Sequence, residues 1–87
     1  MTLWGKLIKD NRLLRDRTVS DDSSDTRTHK IFRALEELCR GWDIPVPIWL
    51  DSAVADFRRM KKVRFYQDSF VGEEIFFDYL EFQVLEE

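Results

Sequence analysis

The chain is poor in cysteine and histidine. It holds one cysteine and one histidine in 87 residues. A single cysteine excludes an internal disulfide. A single histidine beside it excludes two-histidine and Cys-His metal clusters within one chain. Cys39 falls on an apolar helical stripe and reads as a small buried hydrophobe. Three glycines are too few for a phosphate-cradling loop. No P-loop, dinucleotide fingerprint, nucleophile elbow or C-x-x-C pattern occurs. No run approaches the roughly 18 consecutive apolar residues of a membrane helix. The N-terminal MTLWGKLIKD carries Lys6 and Lys9 but no apolar signal-peptide core. These absences favour a cytoplasmic location, no cofactor, no metal and no enzymatic reaction.

What is present describes one small domain, residues 1–87. Hydrophobic residues at 44% and charged residues at 36% place it among globular rather than disordered chains. A domain this small buries about 60–65% of its unfolded surface, so dimerisation would add useful stability. The net charge of −3 argues against a dedicated nucleic-acid binder.

The most apolar stretch is Ile75–Leu85, IFFDYLEFQVL. Its Phe, Tyr, Ile and Val content suits a strand, central in a sheet and covered on both faces near its start. Its acids interrupt it as gatekeepers against aggregation. Thr2–Val19 reads as a β-hairpin turning at Asp10-Asn11, two residues that tolerate positive φ. Two-residue closure pairs Ile8 with Leu13 but sets Lys6 against Arg15. A three-residue loop pairs Lys6 with Asp16. The register stays open between them. Gly5 marks a bulge or a close approach.

Thr26–Arg40 reads as an amphipathic helix with Ile31, Phe32, Leu35, Leu38 and Cys39 inward. Asp25 or Ser24 is its expected cap, and Gly41 its expected stop. Pro45-Val46-Pro47 forces an extended crossing. Asp51 then caps a second helix, Ser52–Lys62, with Ala53, Val54, Phe57 and Met60 inward. Val63–Val71 alternates enough for a short strand. The order gives an α+β fold: an N-terminal β-hairpin, two helices, and a C-terminal strand completing a three- or four-stranded antiparallel sheet with both helices on one face. Phe32, Leu35, Phe57, Leu80 and Phe82 should share its core.

Two groups could carry chemistry. Arg27 and His29 lie at a helix N-terminus, where an anion or small phosphate can bind. Capping and solvation explain the same residues. Arg58, Arg59, Lys61 and Lys62, next to Phe65 and Tyr66, could grip single-stranded nucleic acid. Against this, Ser52–Arg64 carries five cations and one acid, whereas Phe65–Glu87 carries seven acids and no cation. The two segments should neutralise each other within the fold.

The combination DDSSDTRTHKIFRALEEL, PIWLD, RFYQDSF and FDYLEFQVLEE resembles a family of small uncharacterised proteins from Gram-positive bacteria, over nearly the whole chain. That family has no assigned activity, so the resemblance implies no catalytic or binding residue. It implies a cytoplasmic bacterial protein. The expected role is protein–protein contact, with a homodimer joined through an edge strand or through the aromatic surface around Trp4 and Trp49. The alternative is a nucleic-acid-associated regulator using the basic second helix. No membrane partner is expected.

Overall fold

A computed structural model describes residues Met1–Glu87. Strands β1 (Thr2–Lys9) and β2 (Arg12–Ser20) form the hairpin. Helices α1 (Arg27–Gly41) and α2 (Asp51–Met60) follow, then β3 (Lys62–Phe65) and β4 (Tyr79–Glu86). The sheet is antiparallel throughout, in the order β2-β1-β4-β3. It is the α+β architecture the sequence implies, with four strands.

The hairpin combines both candidate closures. Asp10 and Asn11 have φ of 52° and 63°, the pair of positive values a type I′ turn requires. Lys9 pairs with Arg12 and Ile8 with Leu13. Leu14 is then an extra residue, so Leu7 pairs with Arg15 and Lys6 with Asp16. The bulge removes the like-charge contact that uninterrupted pairing would impose. The turn is held to the far end of the chain: the Asp10 amide donates to the Asp78 carboxylate at 2.8 Å, and the Asp78 amide donates to the Ile8 carbonyl at 2.8 Å.

On one sheet face stand Leu3, Leu7, Val63, Phe65, Leu80, Phe82 and Val84, all buried. Both helices lie on this face. From α1 it receives Ile31, Ala34, Leu35, Leu38 and Cys39; from α2, Ala53 and Phe57. Gly5 is a close approach rather than a bulge: a Cβ there would sit 2.7 Å from Leu38 Cδ1 and 3.2 Å from Trp42. Trp49 caps the aromatic centre, with ring centroids 5.4 Å from Phe57 and 4.9 Å from Phe65. Burial pushes the Cys39 thiol up to about 12, which keeps it protonated and unreactive.

Several expectations need correction. Phe32 is 50% exposed; Ala34 takes the inward place, and Phe32 lies on the rim 6.1 Å from Trp49. Met60 is also exposed, because α2 ends there and Lys61 turns left-handed with φ 57°. Thr26, not Asp25 or Ser24, caps α1, accepting from the His29 amide at 3.2 Å. Asp51 is the first residue of α2, and Leu50 precedes it without a side-chain cap. Gly41 stays helical under the Arg17 guanidinium, which a Cβ would meet at 2.8 Å. The left-handed stop falls at Asp43, φ 56°. Its amide donates to Arg40 and that of Ile44 to Cys39, closing a Schellman motif over buried Ile44.

The strands are also shorter than their apolar runs. β4 begins at Tyr79, and Ile75–Asp78 is irregular. Phe77 still reaches the core, edge-on to Phe70 at 5.5 Å. The alternation of 63–71 survives only over β3. Gln67 then ties the connection together: its side-chain amide donates to the Glu73 carbonyl at 2.7 Å and accepts from the Ile75 amide at 3.2 Å.

Candidate functional site: the open face of the sheet

The second face of the sheet has no helix on it. Pleating sends alternate residues there, and the register sets them in three rows across the strands. The first reads Thr18, Trp4, Gln83, Lys62. The second reads Asp16, Lys6, Glu81, Arg64. The third reads Leu13, Ile8, Tyr79, and Tyr66 extends it, 5.5 Å from the Tyr79 ring.

The middle row alternates acid, base, acid, base. Glu81 is its anchor, and it is buried, 6% exposed, on a face without a covering helix. Its cover is made of neighbouring side chains. Lys6 Nζ lies 2.8 Å from one carboxylate oxygen, and Arg64 Nε donates to the other at 3.0 Å. Burial alone would raise the Glu81 pKa, but bonds from Lys6 and Arg64 outweigh it and hold the carboxyl below its ordinary value. Glu81 is therefore ionised at neutral pH.

The same cations fix the aromatics. Lys6 Nζ sits 3.9 Å from the centre of the Trp4 ring, and the Arg64 guanidinium 4.6 Å from that of Tyr79. Trp4 Nε1 donates to Asp16 at 2.9 Å. Every charged member of the row thus holds a neighbour within the same chain.

Of the residues singled out in the sequence, Lys62, Trp4 and Tyr66 reach this face, and the others lie elsewhere. Arg27 donates twice to Glu87, at 2.9 and 3.2 Å, and Lys61 approaches the same carboxylate at 3.5 Å. His29 bonds Asp25 at 3.0 Å. Arg27 and His29 are each held by a carboxylate and do not converge on one site. Arg33 binds Asp21 at 2.7 Å and Asp25 at 3.1 Å. Bonds from Ser23 and Arg33 hold Asp21 well below the usual carboxylate range. Among the four basic residues, Arg59 pairs with Asp56 at 3.1 Å and Lys61 with Glu87. Arg58 lines a cleft of about 190 Å³ between the helices with Arg27, Ile31 and Phe57. Lys62 is the corner of the open face. Trp4 and Trp49 stand on opposite faces of the sheet, so they form no common surface.

Sequence reasoning passed over Glu81, Lys6, Asp16 and Arg64 as a set. Their i, i+2 alternation with apolar neighbours was visible. Their alignment depends on two strand registers and one bulge. Comparison with known proteins found no matching family model, curated protein or solved structure.

Proposed function

We propose that this protein acts by contact with another protein chain, and that the open face of its sheet makes the contact. The supporting observation is the prearranged set of Trp4, Tyr66, Tyr79 and Arg64. Trp, Tyr and Arg are the residue types that dominate binding energy at protein interfaces. Here ion pairs and cation–π contacts already restrict them, which lowers the ordering cost of association. The family resemblance, with its bacterial and cytoplasmic setting, is compatible with such a role and names no activity.

The nucleic-acid reading has weaker support. The basic residues of α2 are partly spent on Asp56 and Glu87. The open-face rings that could stack bases already carry Lys6 and Arg64, and those cations are committed to Glu81.

Affinity capture on the immobilised protein tests the reading. Leu13→Ala and Tyr66→Ala change exposed side chains on the open face. They should abolish capture of a stoichiometric protein, whether a second copy or another chain. Phe32→Ala, on the helical side, should leave it intact. Capture of nucleic acid that disappears with Arg58→Glu and Lys62→Glu would favour the alternative.

A further inference from the structure

The open face is self-complementary, and we infer that its partner is a second copy of this chain, related by a two-fold axis running parallel to the strands. This rests on the open face being the contact surface, and it adds the occupant and the orientation.

Two-fold symmetry constrains the patch. In a two-fold interface the same patch meets itself, so it must be its own complement. An axis parallel to the strands, passing between β1 and β4, reverses each row on the facing copy. Asp16 then meets Arg64 of the partner subunit, and Lys6 meets the partner's Glu81. In the third row Leu13 meets the partner's Tyr66, and Ile8 meets the partner's Tyr79. In the first, Trp4 meets the partner's Gln83. Charges meet opposite charges and apolar side chains meet aromatic ones. An axis across the strands would leave the row order unchanged and set like charges against each other. Aligned strands are also the ordinary geometry of two sheets packed face to face.

The alternative joint, edge to edge through β2, is blocked by charge. Registers that use most of the strand and keep the two faces in common set Asp16 on itself with Arg15 against the partner's Arg17, or set Arg17 on itself. Arg12, Arg15 and Arg17, with the bulge at Leu14, protect this edge as charges and bulges do elsewhere. At the other edge β3 offers only four residues.

Area bounds the contact without fixing its strength. Four strands about 4.8 Å apart, each about 3.3 Å per residue, make a face of roughly 500 Å² in projection. Stable complexes bury about 800 Å² per partner. A contact of this size, with charge pairing selecting its orientation, should give a reversible dimer.

Sedimentation equilibrium with paired charge reversals tests this. The wild-type protein should show a concentration-dependent monomer–dimer equilibrium. Asp16→Arg alone faces the partner's Arg64, and Arg64→Glu alone faces the partner's Asp16. Each should weaken self-association about tenfold or more. An equimolar mixture of the two variants should recover dimer, because the reversed charges face each other only in the mixed species. Circular dichroism confirms that each variant is folded. Thr18→Glu and Thr18→Lys serve if either reversal fails to fold: Thr18 is exposed and faces the partner's Lys62, so Glu should tighten and Lys loosen the dimer. A wild-type protein that stays monomeric overturns the proposal, and the proposed function survives that result if Tyr66→Ala still abolishes capture of a different protein. A dimer indifferent to these reversals, or a mixture that does not recover, also overturns it.

Discussion

Lys6 stands opposite Asp16, and not opposite Arg15, because Leu14 is an extra residue in β2. That one insertion aligns the alternating row Asp16, Lys6, Glu81, Arg64. It also lets Asp16 accept the Trp4 indole N–H. Deleting Leu14 removes the extra residue and should leave Leu7 paired with Arg15 and Lys6 with Asp16. The change in urea unfolding should therefore stay within about 1 kcal/mol. The Trp4 indole proton should keep its hydrogen-bonded NMR shift.

Glu81 predicts a pH dependence with a definite sign. Its folded-state pKa lies below its ordinary value. On lowering the pH the unfolded chain therefore takes up the proton first. The stabilisation is full above the unfolded value, about 4.3, and is lost as the pH falls through the lower folded value. Urea midpoints of the wild-type protein should fall in that acid window. Lys6→Met should cost about 1–3 kcal/mol at neutral pH, the value of a hydrogen bond to a charged group. The cost should shrink once Glu81 is protonated. Midpoints of Glu81→Gln should vary less over the same window.

The core assignment separates two large side chains. Leu80 is fully buried and Phe32 is half exposed. Leu80→Ala should destabilise by about 2–5 kcal/mol. Phe32→Ala should cost less than about 2 kcal/mol, because half its surface already meets water. Gly5→Ala, whose new methyl would strike Leu38 and Trp42, should cost about 1–3 kcal/mol. Thermal or chemical unfolding of the three variants checks the order.

Lys61 occupies a left-handed conformation without being glycine. Its ion pair with Glu87 is exposed and contributes little. Lys61→Gly should therefore stabilise the protein by about 0.5–1 kcal/mol, read as a raised urea midpoint.

The legible parts of this fold were those carried by local pattern. Asp10-Asn11 announced the hairpin turn. The spacing of Ile31, Leu35, Leu38 and Cys39 announced α1. The charge imbalance either side of Phe65 implied that the two segments neutralise each other, and Arg64–Glu81 and Lys61–Glu87 are contacts of that kind. What failed depended on tertiary context. Phe32 sits one position from Ile31 and could face in or out; the close seat of α1 on Gly5 selects Ala34 instead. Ile75–Asp78 looks like strand by composition, but Gln67 and Asp78 hold that segment in a connection. The open face stayed hidden because a row across four strands has no sequence neighbours.

Concentration-dependent NMR reads the open face residue by residue. Amide and indole shifts of the isotope-labelled protein are followed from micromolar to millimolar concentration. Progressive shifts should concentrate at Trp4, Lys6, Ile8, Arg64, Tyr79 and Gln83, with the helical residues Phe32, Val54 and Arg58 unmoved. Shifts confined to α1 and α2, or an invariant spectrum over the whole range, would contradict an open-face dimer.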